Sequence, residues 1–425
     1  MTSSLVVPCE RFELEGGLTL LVSPRPGASV TAVRLHLRGG TALDPEGRDG
    51  TAFLVGRLAD QGTETMSESD LAEALEPRGG SLSGDATGLA GSIAGGGWKL
   101  LLEKLFDLAR NAAYPKAEID VQLRRLLSRL SVEREDPRSQ AGLLFRKAIY
   151  GDHWLGRSAH GTFDTVGTIT ARHLRTHHRK HWHPSRMTLA ICGDLDPQAV
   201  RRAVSKFIQG WDAGPKLTAP QPKIPKMGVR MNAFTRDREQ VHVFLGHLGV
   251  LRANPDWPAL VVMDHVLGSG PGFTSRITKR LRDELGLAYS VHADIHASAG
   301  RQPGMFRAYI GTSPEHVGTA IRGFLAEMRS IRKDGVTQDE LTTAKDYLLG
   351  SFALGYERAS RRAGHLVAAE LHGFAEDHLD QLSQAYRSIT ADDVQRVAET
   401  YLHPESCCVV GAGPVTKKDL SAALA

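Results

Sequence analysis

Residues 169–197 read "ITARHLRTHHRKHWHPSRMTLAICGDLDP", and residues 389–420 read "ITADDVQRVAETYLHPESCCVVGAGPVTKKDL". Both stretches open with Ile-Thr-Ala, continue over a helix-length segment to His-Pro, and end in an apolar run that reaches a glycine. The Ile-Thr-Ala triplet recurs after 220 residues (389 − 169), and so does the His-Pro pair (403 − 183). The same interval at two landmarks indicates an internal duplication.

A second pair of segments repeats at nearly the same interval. Residues 114–130, "YPKAEIDVQLRRLLSRL", and residues 336–352, "VTQDELTTAKDYLLGSF", each predict a capped helix start followed by a long amphipathic run. Between the two halves, residues 210–230 are rich in Pro, Lys and Gly, which is the composition of a linker. We therefore predict two homologous domains, residues 1–215 and residues 216–425.

Strand-like alternation opens the main part of each half. It occurs in residues 29–40, "SVTAVRLHLRGG", and in residues 240–250, "QVHVFLGHLGV". Several helical stretches and a closing apolar strand follow in both halves. Strands grouped with helices, without strict strand-helix alternation, favour the α+β class, in which helices are layered on a mostly antiparallel sheet. We predict one such layered domain in each half.

Composition excludes several classes of protein. The 425 residues are 41% hydrophobic and 24% charged, which is typical of a globular chain, and no apolar run approaches the roughly 18 residues that span a bilayer. The 52 Lys and Arg residues are dispersed among 48 Asp and Glu residues, which argues against nucleic acid as a partner. The four cysteines show no C-x-x-C spacing, so the sequence predicts neither a disulfide framework nor a cysteine zinc site.

The N-terminal sequence shows no secretory signal. Residues 1–22 contain no basic segment followed by a long apolar one, and they continue directly into strand-like alternation. We therefore expect a cytoplasmic location, or a periplasmic one if a leader has been trimmed.

Four histidines are concentrated at the end of the predicted helix in residues 169–183. Two of them, His177 and His181, have the spacing of four at which two imidazoles can share a zinc ion. No third ligand follows at a suitable spacing, and three flanking basic side chains would repel a cation. We interpret the cluster as a solvated, basic helix end. Its members are His177, His178, His181 and His183.

A glycine-rich stretch, "GSGPGFTSR", covers residues 268–276. Its glycines resemble those of a phosphate-binding loop, but the closing Lys-Ser/Thr is missing and Pro271 removes a backbone donor. We predict a flexible segment that lines a cleft. The glycines concerned are Gly268, Gly270 and Gly272.

The next segment, residues 275–295, predicts a helix that ends at Gly286, followed by a strand from residue 288 to residue 295. Arg282 in the last helical turns and Tyr289 at the start of the strand then project from one corner. A guanidinium and a phenol at one corner form a donor pair for a carbonyl or a carboxylate. From the residues alone, an ordinary surface arginine and a half-buried tyrosine remain the alternative.

Three motifs within this duplicated layout resemble the pitrilysin/insulinase superfamily of zinc peptidases, the inverzincins. They are "GLAYSV" (286–291), "GDHWLGRSAHGT" (151–162) and "HPSRMTLAICGDLDP" (183–197). The resemblance extends over nearly the whole chain. It is greatest to short bacterial subunits, which are related to mitochondrial processing peptidase.

The resemblance implies a degenerate zinc site in the N-terminal domain. The family's His-x-x-Glu-His pattern falls on residues 51–63, with Phe53 at the first ligand, Gly56 at the general base and Arg57 at the second ligand. Arg129 falls at the third ligand, with an uncertainty of one residue in the register. None of these four side chains can coordinate zinc, because phenylalanine and glycine have no donor atom and arginine is a permanent cation. The resemblance therefore implies that this chain binds no catalytic zinc and no other cofactor.

In the C-terminal domain, Arg282 and Tyr289 match the family's substrate-binding pair. A chain with this pair and without metal ligands resembles one subunit of a heterodimer whose homologous partner carries the zinc. We expect the chain to be inactive alone and, when paired, to take part in cleaving oligopeptides or unfolded segments. The alternative is a non-enzymatic scaffold or binding subunit derived from the same family.

Overall fold

The computed structural model describes residues 6–215, 217, 222–270 and 274–424, which form two β-sheets covered by helices. The strands are β1 (Glu10–Glu13), β2 (Thr19–Pro24), β3 (Val30–Leu37), β4 (Ser81–Asp85), β5 (Gly88–Ala94), β6 (Met187–Gly193), β7 (Arg230–Thr235), β8 (Val241–Leu248), β9 (Val291–Asp294), β10 (Met305–Thr312) and β11 (Cys408–Gly413).

The α-helices are α1 (Thr51–Ala59), α2 (Glu68–Leu75), α3 (Trp98–Asn111), α4 (Lys116–Glu135), α5 (Pro137–Tyr150), α6 (Phe163–Gly167), α7 (Ala171–His181), α8 (Pro197–Ile208), α9 (Trp257–Asp264), α10 (Arg276–Thr278), α11 (Val317–Asp334), α12 (Gln338–Gly355), α13 (Ala359–His372), α14 (His378–Ser388), α15 (Ala391–Tyr401) and α16 (Lys417–Leu424). Two segments, His265–Ser269 and Lys279–Glu284, are π-helical. Short 3-10 turns occur at Glu15–Gly17, Gly40–Leu43, Glu76–Arg78, Trp154–Gly156, Pro184–Arg186, Pro314–His316 and Pro404–Ser406.

Both sheets follow the same plan. The first has the order β1-β2-β6-β3-β5-β4, and the second has the order β7-β11-β8-β10-β9. The pairs β2-β6 and β7-β11 are parallel, and the other pairs are antiparallel. The predicted α+β class, with mostly antiparallel sheets, is confirmed.

The internal duplication is visible in the closing elements of each half. Helix α7 begins after Thr170, whose N–H donates to His173 Nδ1, and α15 begins after Thr390, whose N–H donates to Asp393 Oδ2. A 3-10 turn then starts at Pro184 in one half and at Pro404 in the other. These turns lead into β6 and β11, each of which lies between one parallel and one antiparallel neighbour. The repeated sequence thus produces the same order of elements twice.

The chain forms two compact units, and each includes a helix from the other half of the sequence. The first consists of Met1–Ser131, Ser158–Gln221 and Leu354–His378, and the second of Val132–Arg157, Pro222–Ala353 and Leu379–Ala425. Within the first unit, α13 packs on β3 and β6; within the second, α5 packs on β8 and β11. The predicted division into domains 1–215 and 216–425 stays a prediction.

The core of the first unit lies between its sheet and the main group of helices. Val33 and Leu35 of β3 are buried with Leu54 of α1, Leu101 of α3 and Leu174 of α7. Side chains alternate between the faces of a strand, so the intervening residues of β3 are on the face that α13 covers. Burial of each such leucine stabilises the fold by about 1.5–3 kcal/mol.

In the second unit, the helix from the first half is held by aromatic packing. Phe145 of α5 is fully buried, and its ring stacks on Phe244 of β8 with a centroid distance of 5.7 Å. Val410 of β11 belongs to the same buried cluster. Helix α5 is therefore an integral part of the second unit.

We expect Phe145→Ala to destabilise the second unit by about 3–5 kcal/mol, because it removes a buried ring and leaves a cavity. Hydrogen exchange of the β8 amides measures this loss. Lys147→Ala is the matched control, since Lys147 on the same helix makes only an exposed ion pair with Asp152 and contributes less than about 1 kcal/mol. Equal exchange in both variants would contradict the role given to α5.

Candidate functional site

Helix α1 carries three of the four positions at which the sequence predicts a degenerate zinc site. Its first residues are held by Asp44, whose carboxylate accepts hydrogen bonds from the N–H groups of Gly50 at 2.9 Å and Ala52 at 2.6 Å. Phe53 is partly buried, and its ring contacts His160 edge to face at 4.6 Å between centroids. An aromatic contact therefore occupies the first ligand position.

The general-base position, Gly56, is closed by the backbone of strand β4. A Cβ atom at Gly56 would lie 1.8 Å from the carbonyl oxygen of Asp85, and one at Gly84 would lie 1.9 Å from the carbonyl oxygen of Gly56. Both distances are far below van der Waals contact, so helix and strand meet backbone to backbone. A glutamate cannot be accommodated at Gly56 unless this contact opens.

The two remaining positions carry exposed cations. Arg57 lies in the last turn of α1, with its Nη1 atom 3.9 Å from Asp60 Oδ2. Arg129 lies on the exposed side of α4. Within the described ranges 6–215, 217, 222–270 and 274–424, no group of three His, Cys, Asp or Glu side chains is placed to hold a metal ion. The residues at the four positions do not fit zinc.

A polar network that sequence reasoning missed lies next to the closed base position. Arg34 of β3 donates from Nη2 to Asp85 Oδ2 at 3.0 Å and to Thr87 Oγ1 at 2.6 Å. Burial opposes the charge of Asp85, but hydrogen bonds from Thr87 and the charge of Arg34 lower the pKa of this carboxyl group below its ordinary value. The ion pair between Arg34 and Asp85 holds the turn between β4 and β5. No sequence motif predicts this ion pair.

Three of the four histidines in the cluster are buried and His183 is partly exposed, so the interpretation as a solvated helix end is wrong for those three. His177, His178 and His181 are only 5%, 6% and 7% exposed. Burial lowers the pKa of His177 to about 3 and that of His178 to about 4, and nearby charges from the same helix act in the same direction for His177. The rings are therefore neutral parts of the packing between α7 and its neighbours.

Hydrogen bonds fix two rings of this cluster. His178 donates from Nε2 to the carbonyl oxygen of Ala109 at 3.0 Å. His181 Nδ1 accepts from Arg186 Nη1 at 2.7 Å, because arginine can only donate. Arg186 is itself buried, and it also donates to the carbonyl oxygen of Pro215. The cluster is structural.

Arg282 and Tyr289 lie at the two ends of a short connection in the second unit. Arg282 belongs to the π-helical segment Lys279–Glu284, and its Nε and Nη2 atoms contact Asp283 Oδ1 at 2.9 and 2.8 Å. Gly286 ends this segment with φ +62°, a conformation that favours glycine. Strand β9 then starts at Val291, later than the predicted residue 288, and it ends at Asp294, one residue before the predicted end.

Tyr289 is 96% exposed, so the alternative of a half-buried tyrosine is wrong. Leu285, four residues earlier, is 40% exposed. A tyrosine that projects fully into solvent contributes little to the core and is available to a ligand or a partner. The role of Arg282 and Tyr289 in substrate binding stays a prediction.

The glycine-rich stretch begins inside a packed helix. Gly268 is buried in the π-helical segment His265–Ser269, where a Cβ atom would lie 2.7 Å from Cβ of Ala293 in β9. Gly270 follows this segment and is partly exposed, and Gly272 lies outside the described residues. The close approach to β9 explains why residue 268 is a glycine. The lining of a cleft by Gly268, Gly270 and Gly272 stays a prediction.

Comparison with known proteins identifies the family. Residues 168–348 match the family model described as the peptidase M16 inactive domain. Over these residues the chain carries an M16 peptidase domain of the inactive type. M16 comprises the pitrilysin and insulinase peptidases, so the predicted resemblance is confirmed. The matched residues of this M16 protein include Arg282 and Tyr289.

Relatives of this M16 protein match along nearly its whole length. An uncharacterized zinc protease of Streptomyces coelicolor is 27% identical over 422 residues, which cover 97% of this chain and 91% of the relative. The uncharacterized zinc protease YmxG of Bacillus subtilis is 22% identical over 393 residues, which cover 92% of this chain and 94% of the relative. These proteins are named zinc proteases, whereas this M16 chain lacks ligands at the expected positions.

Solved structures share the fold. The peptidase M16 inactive domain from Pseudomonas fluorescens superposes with a TM-score of 0.89 at 21% identity. The superposition covers 96% of this chain and 98% of that structure's chain. A protease from Helicobacter pylori gives a TM-score of 0.87 at 19% identity, with 96% of this chain and 100% of its own covered. The M16 fold is therefore present across the described parts of both units.

A helix that crosses a membrane must be about 20 residues long and predominantly apolar. None of the described helices combines the necessary length with sufficient apolar character. The predicted cytoplasmic location stays a prediction.

We expect Gly56→Ala to destabilise the first unit by about 3 kcal/mol or more, since even one methyl group overlaps Asp85 and must displace β4. The thermal unfolding midpoint and hydrogen exchange in β4 measure this effect. Gly364→Ala, in helix α13, is the matched control because a Cβ atom there meets open space, and it should be neutral or slightly stabilising. A Gly56→Ala protein as stable as Gly364→Ala would contradict the closed base position.

The buried histidines predict a loss of stability in acid. A group whose folded pKa is lowered stabilises the fold above its unfolded pKa, and this stability declines as pH falls towards the folded value. For His178 the interval runs from 6.5 down to about 4. Between pH 6.5 and pH 5 the loss is about 2 kcal/mol, at about 1.4 kcal/mol per pH unit.

Thermal unfolding at pH 7 and pH 5 tests this expectation. His178→Gln keeps an N–H donor for Ala109 but takes up no proton, so its unfolding midpoint should fall less between the two pH values. An identical fall in the variant and the parent protein would show that His178 does not carry the effect.

Proposed function

We propose that this chain is the zinc-free subunit of a heterodimeric metallopeptidase. In this proposal Arg282 and Tyr289 help to bind peptide at the zinc site of a homologous partner subunit. The observation that carries it is the full exposure of Tyr289, seven residues after Arg282, in a chain whose own base position is closed at Gly56. The match of residues 168–348 to the M16 inactive domain also supports the proposal.

The partner would supply the metal chemistry that this chain lacks. A zinc ion held by His-x-x-Glu-His activates a bound water and polarises the peptide carbonyl group, and the glutamate acts as general base. The residues of this chain would act by donating hydrogen bonds. The guanidinium of Arg282 presents several N–H donors in a plane, and the phenol of Tyr289 presents one O–H.

Such donors accelerate the reaction because negative charge develops on the carbonyl oxygen in the transition state. A donor placed in advance stabilises that charge without reorganisation of solvent, and removing one donor typically costs a factor of about 10²–10³ in rate. Tyr289 needs no conformational change to become accessible, since it is already in solvent. Arg282 would exchange its contact with Asp283 for one with the peptide.

The substrate class in this proposal is oligopeptides and unfolded segments. An enclosed site formed between two subunits admits an extended chain and excludes a folded protein. Main-chain carbonyl groups are common to all peptides, so donors such as Arg282 and Tyr289 would bind extended segments with little dependence on sequence.

A second candidate is a non-enzymatic binding or scaffold subunit. Leu285 and Tyr289 are both exposed, and a docking subunit would also use exposed hydrophobic side chains of this kind. Docking alone, however, does not require the phenolic hydroxyl group of Tyr289. The hydroxyl group therefore distinguishes the two candidates.

The test uses the chain coexpressed with an M16 homologue that carries His-x-x-Glu-His, assayed on a peptide library with and without chelator. We expect Arg282→Ala to lower kcat/KM by a factor of about 10²–10³ and Tyr289→Phe to lower it as well. Arg280→Ala is the matched control, because Arg280 lies on the same π-helical segment and pairs with Glu284 on the surface. It should retain full activity.

Two outcomes would overturn the proposal. Undiminished peptidase activity with both Arg282→Ala and Tyr289→Phe would favour the scaffold candidate. Stoichiometric zinc, or chelator-sensitive peptidase activity, in the isolated chain would contradict the absence of a metal site in this subunit.

A further inference from the structure

The connection that carries Tyr289 is held to β10 on both sides of this residue: the carbonyl oxygen of Leu287 accepts from Thr312 Oγ1 at 2.8 Å, and that of Ser290 accepts from the N–H of Gly311 at 3.4 Å. Tyr289 lies two residues before β9, a strand of four residues at the edge of its sheet, paired with β10 in the described part of the chain. Short edge strands fray readily, because few hydrogen bonds hold them. The orientation of Tyr289 therefore depends both on these hydrogen bonds to β10 and on what holds the rest of β9.

A buried carboxylate holds the far end of this strand. Asp264, the last residue of α9, is 0% exposed. Its Oδ2 atom accepts hydrogen bonds from the N–H groups of Ile295 at 2.8 Å and His296 at 2.9 Å, and from His296 Nδ1. Hydrogen bonds to an ionised acceptor are about twice as strong as neutral ones. Asp264 thus continues the hydrogen bonding of β9 just where its pairing with β10 stops.

The imidazole of His296 is clamped by both ends of helix α9. Trp257, the first residue of α9, meets the ring edge to face at 5.8 Å between centroids, while Asp264 binds it from the other end of the helix. The guanidinium of Arg252 lies over Trp257 at 4.2 Å from the ring centroid. His296 is therefore fixed in position as well as in charge.

The segment after α9 contacts the same strand. Gly268 packs directly against Ala293 of β9, so the strand is held along its side as well as at its end. Asp294 is tied to β10 by an ion pair with Arg307, at 3.2 Å between Oδ2 and Nη2. Together these contacts attach β9 to α9, to the π-helical segment and to β10.

The groups around His296 favour the protonated, positively charged form of its imidazole ring. Burial opposes the imidazolium form, but the hydrogen bond to Asp264 and the charges of Asp264 and Asp294 raise the pKa of His296 above its ordinary value, against a smaller opposing effect of Arg252. Burial also raises the pKa of Asp294, and the charge of Asp264 adds to this effect. The stabilisation from His296 is fully present below the ordinary histidine pKa of 6.5 and is lost as pH rises through the raised pKa.

We propose that Asp264, through His296 and the backbone of Ile295, positions the strand that follows Tyr289, so that Arg282 and Tyr289 meet a peptide in one orientation. This inference rests on the proposed function. Asp264 is a positioning residue, since it contacts neither the peptide nor the reacting atoms. It sets the fraction of molecules in which the connection from Arg282 to Tyr289 is ready to bind.

That role has a kinetic signature. When only a fraction of molecules is competent to bind, the apparent dissociation constant rises in inverse proportion to that fraction. A loss of positioning therefore raises KM and leaves kcat nearly unchanged, whereas removal of a transition-state donor lowers kcat. We expect Asp264→Asn to raise KM about tenfold in the two-subunit mixture.

The same variant is examined by hydrogen exchange in the isolated chain. We expect the amides of residues 291–294 to exchange about tenfold faster in Asp264→Asn, because a neutral amide accepts more weakly than a carboxylate. Val262→Ala is the matched control: Val262 is buried in the same helix, and its truncation leaves the three hydrogen bonds of Asp264 in place. It should change the exchange of β9 and the KM less than twofold.

If Asp264→Asn does not fold, His296→Ala carries the test. It removes one of the three hydrogen bonds and leaves both backbone bonds to Asp264, so β9 exchange and KM should rise about threefold. Wild-type exchange and KM in the folded variant, or equal effects in Val262→Ala, would overturn the inference.

A failure of the proposed function can be distinguished from a failure of this inference. Full activity with Arg282→Ala and Tyr289→Phe would reject the substrate-binding role, while faster β9 exchange in Asp264→Asn would still establish the anchor.

Discussion

The backbone contact between helix α1 and strand β4 is the constraint that determines what the first unit can accommodate at the general-base position. At Gly56 and Gly84 the two backbones meet without room for a single Cβ atom. The contact stabilises the edge of the first sheet and at the same time removes the space that a general base would need. The packing of α1 on β4 therefore excludes a glutamate at Gly56 independently of the side chains at the other three positions.

The second unit shows the opposite arrangement, because it leaves a polar aromatic side chain in solvent and supports the strand behind it. Tyr289 is fully exposed, yet β9 is held by buried hydrogen bonds to Asp264 and by backbone packing at Gly268. Burial of a carboxylate is costly, and here three hydrogen bonds to Oδ2 of Asp264 offset part of the cost, while Oδ1 has no hydrogen-bond partner among the described residues. A buried carboxylate at the far end of the strand that follows an exposed tyrosine suits a surface that must keep one shape while it binds.

Much of the fold was predictable, whereas the surroundings of individual side chains were not. The repeat after 220 residues and the alternating strands predict two similar α+β domains, and the structure has two sheets with the same plan. The histidines of α7 were misjudged, because flanking Arg and Lys residues suggested solvent while the ring side of the helix packs inward. Strand β9 was predicted too long, since local propensity does not reveal where pairing with β10 stops.

By itself, the sequence determined the duplicated layout, the absence of donor atoms at Phe53 and Gly56, and the cations at Arg57 and Arg129. These follow from residue identity and spacing, which need no coordinates. Only the tertiary structure decided that Gly56 is sterically closed, that Tyr289 is in solvent and that Asp264 anchors β9. The physical reason is that burial and close approach depend on residues far apart in the chain, whose meeting is set by packing.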